Sequence, residues 1–158
     1  MRGYVLALAV GLATPASADP PKAKCNLRSI QASPTGEGID PRLARLKPYL
    51  EKAPFTAWKK FDLMDEKELT LAPASSGQTT LPNGNHASLT YVDHVMSPQG
   101  KHRLRLRLEI DHGDKKELNT TFVLDEGGVV LQAGQKHGGA LLILGVSCEI
   151  PNEPAGQP

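Results

Sequence analysis

In the stretch Lys101-His102-Arg103-Leu104-Arg105-Leu106-Arg107-Leu108-Glu109-Ile110, polar and apolar residues alternate without a break from Arg103 onward. A repeat of two is that of a β-strand with one covered and one open face. Leu104, Leu106, Leu108 and Ile110 then line one side, and Lys101, Arg103, Arg105 and Arg107 line the other. Similar runs flank it, Ala87 to Val95 before and Lys116 to Leu124 after, so the three together read as an antiparallel meander.

Working outward, the same period and the turn residues between runs place further strands. Cys25 to Ala32 reads as a first strand. Trp58 to Leu63 and Glu68 to Ala72 read as two more around a charged turn, Asp65-Glu66-Lys67. Gln78 to Leu81 precedes the hairpin signal Asn83-Gly84. Gly127-Gly128 turns into Val129 to Ala133, and Gly138-Gly139 into the continuous apolar run Ala140 to Val146. A run without alternation is a strand covered on both faces, which places it centrally in a sheet.

One helix interrupts the strands. Asp40 is a good N-cap and Pro41 suits the first helical position. Leu43, Leu46, Tyr49 and Leu50 form one apolar stripe, Pro48 should kink the helix or end its first part, and Pro54 should stop it. The expected fold is therefore mainly β, an antiparallel sandwich or sheet of about eight strands with one inserted α-helix over residues 41–52.

Before the first strand stands a different kind of segment. Arg2, the apolar run Tyr4 to Leu12 and the small-residue site Ala16-Ser17-Ala18 have the layout of a secretory signal peptide cleaved after Ala18. The run is too short to span a bilayer, and no later stretch is long enough to serve as a transmembrane segment. Residues 1–18 are thus read as signal peptide, 19–24 as a disordered Pro-rich lead, 25–150 as a single β-rich domain and 151–158 as a flexible tail. A periplasmic or extracellular address follows. In that setting an isolated pair of cysteines reads as a disulfide, Cys25 to Cys148. It closes a loop of about 124 residues, for which the chain-entropy model gives about 5 kcal/mol.

Composition narrows function by exclusion. The chain has 18 basic and 17 acidic side chains, and cleavage takes away Arg2 and no acid, leaving 17 of each. A balance near zero exerts no general pull on nucleic acid. Tyr49, Phe55, Trp58, Phe61, Tyr91 and Phe122 are the only rings of the mature chain, few for stacking sugars or bases. There is no G-x-S-x-G, no H-E-x-x-H and no phosphate loop, so no catalytic residue and no cofactor is assigned.

Two features carry candidate chemistry. The first is the row Lys101, Arg103, Arg105 and Arg107. Matching faces by pairing Leu108 with Leu118 sets Arg107 by Asn119, Arg105 by Thr121 and Arg103 by Val123. On the other side Arg105 falls by Thr90 and Arg107 by Ser88, so neither neighbour supplies a carboxylate. Such a row is either a site for an anionic partner, a phosphate-bearing glycolipid or an acidic protein surface, or a solvated face that prevents aggregation. The second is Asp111-His112-Gly113-Asp114, the one place where a histidine sits among carboxylates, in a hairpin loop. Two Asp and one His can in principle hold a divalent ion, yet these are also ordinary loop residues and no metal site is assigned. His94 and His102 flank the loop Met96 to Gly100 on what alternation makes opposite faces, which would make them poor partners for one ion.

The blocks Gly38-Ile39-Asp40-Pro41-x-Leu43-x-x-Leu46 and Pro54-Phe55-x-x-Trp58-x-x-Phe61 have a likeness elsewhere. With Leu81-Pro82-Asn83-Gly84, Leu118-Asn119-Thr120-Thr121-Phe122 and Gly138-Gly139-Ala140-Leu141-Leu142-Ile143-Leu144, the chain resembles uncharacterised small secreted β-rich proteins of myxobacteria and related proteobacteria. That resemblance implies secretion and assigns no functional residues. The expected role is an exported, non-enzymatic binding or scaffolding domain of the bacterial cell envelope, partnered by an anionic envelope component or another envelope protein. The alternative is an envelope enzyme or metal-dependent activity centred on the Asp111–Asp114 loop.

Overall fold

The structure, a computed structural model, describes residues 19–151. The expected signal peptide and all of the expected tail but Pro151 lie outside the described residues. Among those described, nine strands form two sheets, with one short helical segment between the second and third strands. The five-stranded sheet holds β1 (Ala23–Ser33), β2 (Gly38–Ile39), β3 (Lys60–Leu71), β8 (Val129–His137) and β9 (Ala140–Glu149), in the order β2-β3-β1-β9-β8. The four-stranded sheet is a meander of β4 (Ser76–Thr80), β5 (His86–Met96), β6 (His102–His112) and β7 (Lys115–Asp125). The fold is thus mainly β, and all pairings but the short parallel β2–β3 contact are antiparallel.

Two apolar cores hold these layers. Between the sheets lie Leu104, Leu106, Leu108 and Ile110 of β6, packed with Leu89 and Tyr91 against Leu27, Leu142, Leu144 and Val146. On the far side of the five-stranded sheet, Ile30, Ala32, Phe61, Leu63 and Ile143 pack against Leu43, Leu46, Leu50 and Phe55 of the helical segment. That roof explains why Leu142, Ile143, Leu144 and Val146 are all fully buried although consecutive residues point to opposite faces. Gly145 lies under this roof, where a Cβ would stand 3.5 Å from Leu46 Cδ1 and 3.3 Å from Leu131 Cδ2 of the neighbouring β8.

Cys25 and Cys148 are directly opposite on β1 and β9, with Cα atoms 4.1 Å apart, and are disulfide-bonded. Among the described residues no helix is long and apolar enough to cross a membrane.

The structure corrects several details. The helix expected over 41–52 is a 3-10 segment, Pro41–Leu46, followed by a single α-helical turn, α1 (Lys47–Leu50). Pro48 has no N–H to give to the carbonyl four residues back, so an α-helix can only restart with it in the first turn. The altered pitch leaves Tyr49 out of the stripe, 42 % exposed, while Leu43, Leu46 and Leu50 are buried. Asp40 caps as expected, its side chain accepting from the Arg42 N–H. Asp65-Glu66-Lys67 is not a turn; β3 runs straight through it, paired with Leu27 to Ser29 of β1. β2 covers only Lys60 and Phe61, so the middle of β3 is an open edge, and its charges suit an edge that must not recruit other strands. The lead is shorter than 19–24, because Ala23 and Lys24 already pair with Leu71 and Thr70.

Candidate functional site

Among the described residues, no helical segment covers the outer face of the four-stranded sheet. There, β6 presents Arg103, Arg105, Arg107 and Glu109, as alternation with the buried leucines requires. Lys101 precedes the strand and is exposed in the β5–β6 turn. The row is not the unpaired stripe expected. Arg103 Nε donates to Asp125 Oδ1 at 2.9 Å, and Arg105 Nη1 donates to Asp93 Oδ2 at 2.7 Å. Farther along, Lys116 Nζ donates to Glu109 Oε1, a contact that holds the Glu109 carboxyl below its ordinary range.

Register is the reason. β6 and β7 pair two residues away from the face-matched register, so Ile110 rather than Leu108 faces Leu118, and Arg103 meets Asp125. On the other side a bulge between Tyr91 and Asp93 brings Asp93 opposite Arg105. The two arginine pairs are about half exposed, at 46%/54% and 46%/44% of their side-chain areas. Pairs of that kind contribute about 0–1 kcal/mol, so their charges remain exchangeable.

Arg107 differs from its neighbours. It stands at the centre of the face, half-buried, opposite Thr90 on β5 and Thr121 on β7. None of the ion pairs among the described residues includes it. A guanidinium set among hydroxyls keeps its donors available for a carboxylate or phosphate.

The Asp111–Asp114 loop is a tight hairpin, with Gly113 at φ +58°. His112 turns away from the acids, its Nδ1 lying 2.6 Å from Asn85 Oδ1. Asn85 is buried and donates from Nδ2 to Gln135 Oε1 at 2.7 Å. Gln135 reaches it because β8 bulges at Gly134. With Asn85 Oδ1 as the acceptor, His112 carries its proton on Nδ1 and its lone pair on Nε2. Glu117 and Lys136 share the shallow groove beside it. No group of three or more His, Cys, Asp or Glu that could hold a metal comes together among the described residues.

His94 and His102 are not on opposite faces. The bulge that carries Asp93 outward also turns His94 to the inner side, where its Nε2 lies 2.7 Å from His102 Nδ1. Burial, and then the neighbouring His102, push the His94 imidazole below its ordinary pKa. Near the same bulge, the Tyr91 hydroxyl and Asp93 Oδ1 are buried without a hydrogen-bond partner. Burial pushes the Tyr91 phenol up, and the Asp93 charge adds to this.

One hollow, small at about 90 Å³, lies on the outer side of the five-stranded sheet beneath Arg45 and Tyr49. Arg28, which lines it, is committed to Ser147 Oγ at 3.0 Å and Glu66 Oε1 at 3.0 Å. Small-molecule sites usually enclose about 300–1,000 Å³. A wider, shallower hollow borders the open sheet face at Arg103, Val123 and Asp125. Comparison of the chain with protein-family models, with curated proteins and with solved structures found no match.

Proposed function

We propose that the protein is an exported, disulfide-stapled binding domain of the cell envelope, and that the open face of the four-stranded sheet meets an anionic envelope component through Arg107. The observation that supports this is the contrast within one row. Arg103 and Arg105 are each hydrogen-bonded to a carboxylate, whereas Arg107, between Thr90 and Thr121 and with Glu109 next along the face, is in no ion pair among the described residues. Arg103 and Arg105 border the contact, and their exposed pairs can open toward a ligand phosphate. Lys101, in the adjoining turn, adds an exposed positive charge.

The test is retention of the disulfide-bonded protein on vesicles carrying a phosphate-bearing anionic lipid, with neutral vesicles as reference. Arg107→Ser should lose most of the retention, and Arg103→Ser with Arg105→Ser a smaller part. Retention of the native protein should fall as salt rises, because exposed charges are screened over about 10 Å at 0.1 M. Unchanged retention of Arg107→Ser at low salt would overturn the assignment. Export is tested separately, by sequencing the N-terminus of secreted material, which should begin at Asp19.

A further inference from the structure

At the β5–β6 turn the inner face of the four-stranded sheet runs on past its leucines, and three side chains with metal-binding atoms occupy the extension. Residues opposite each other on antiparallel strands share a face. His94 is opposite Leu104 and Met96 is opposite His102, so His94, Met96 and His102 all lie on the side that carries Leu104 and Leu106. This arrangement depends on the bulge between Tyr91 and Asp93, the kind of irregularity that re-aims a side chain.

The two imidazoles already converge. His94 Nε2 and His102 Nδ1 are 2.7 Å apart, with ring centroids separated by 4.9 Å. A contact this short needs a lone pair on one nitrogen and a proton on the other. A metal ion can replace that shared proton. Two nitrogens bound at about 2.0 Å to one tetrahedral ion sit about 3.3 Å apart, so the rings need part by only about 0.6 Å.

Met96 supplies the third atom. It is 49 % exposed and contributes to neither core, so no packing holds its side chain away from the histidines. Its unbranched chain can swing its sulfur across the short gap to a cross-strand neighbour. No carboxylate or thiolate completes a group of three with these histidines among the described residues, so the donor set is soft and neutral. Imidazole alone suits zinc, nickel or copper, whereas a thioether beside it favours Cu(I).

We propose that His94, Met96 and His102 form a surface site for monovalent copper, separate from the outer face that carries Arg107. The site opens at the end of the sandwich, on the same hairpin as the outer-face charges but on its opposite side.

The full disulfide-bonded protein should be titrated with Cu(I), kept reduced by ascorbate so that the disulfide survives, against a chromophoric Cu(I) chelator. A single equivalent should bind, and His94→Gln with His102→Gln should abolish it. Met96→Leu should weaken Cu(I) binding by about tenfold or more while leaving Zn(II) binding unchanged. In the native protein, silver(I) as a redox-inert probe should move the NMR signals of the His94 and His102 rings and the Met96 methyl group. That measurement holds even where a variant folds poorly. Cu(I) binding that survives the double histidine variant, or signals that move at His86, His112 or His137 instead, would overturn the site. Unaltered Cu(I) binding by Met96→Leu would overturn its assignment to copper.

Discussion

The outer face of the five-stranded sheet lies under the helical segment, while that of the four-stranded sheet is open. The strands record the difference in their sequences. In β9, Leu142, Ile143, Leu144 and Val146 are apolar and fully buried whichever way they point. In β6, Leu104, Leu106 and Leu108 are fully buried, but Arg103 and Arg105, which alternate with them, are 46% exposed at the side chain. Loss of alternation in a strand therefore marks where the chain folds a further layer over itself. Retained alternation marks a surface left for solvent or a partner.

The largest way to break the comparison is through the covered sheet's covalent link. Replacing Cys25 and Cys148 together by alanine should lower unfolding free energy by about 2–5 kcal/mol, read from urea denaturation. A loss well below that would mean that packing on both faces already holds β1 to β9. Next comes a matched pair of substitutions. Ile143→Ala, under the roof, should cost about 2–5 kcal/mol, and Arg105→Ser, on the open face, less than about 1 kcal/mol. Equal losses would erase the distinction between the two faces.

The smallest effect concerns how the roof is fastened. The Asp40 side chain, 11% exposed, accepts hydrogen bonds from the Arg42 side chain, the Arg42 N–H and the Leu63 N–H. The Arg42 side-chain bonds, then its N–H, hold the carboxyl well below the usual range against the opposing effect of burial. A folded-state pKa below the unfolded one stabilises the fold above the unfolded value, about 3.9, and that contribution is lost as pH falls below it. Asp40→Asn should therefore lower Tm by an amount that is constant from neutral pH to about pH 5 and shrinks in more acid solution. A gap independent of pH down to acid would mean that the cap, not the charge, holds the roof.

Faces were legible in the sequence; partners across strands were not. A shift of two residues leaves every side chain on its own face, so alternation alone cannot separate the Leu108–Leu118 register from the observed Ile110–Leu118 pairing. Arg103 thereby gains Asp125 with no change in pattern. A bulge does the opposite, exchanging faces beyond it, which is how His94 comes to meet His102. No Gly or Pro marks that bulge, which lies in Tyr91-Val92-Asp93. By contrast, Gly134 has φ +122° and stands at the β8 bulge that brings Gln135 to Asn85, a signal the sequence does contain. The Asp65–Lys67 charges look like a turn in the sequence because this part of an edge strand is exposed on both faces and so has no apolar side.

The neighbour relation of β1 and β9 also governs the order of assembly. Its disulfide partners are separated by 123 positions, and the strand that fills the gap between β1 and β8 comes last in chain order among the nine described. β3 can join β1 early, since both belong to the first half of the chain, but the other side of β1 stays unpaired until the end. Contacts so distant in sequence make folding slow compared with a meander of neighbouring strands. The four-stranded sheet, built only from consecutive hairpins, can form first and offer its leucine face as a template. Cys148 is the one partner within the chain for Cys25, and the two meet only when β9 pairs with β1, so their bond closes the sheet rather than guiding its first steps.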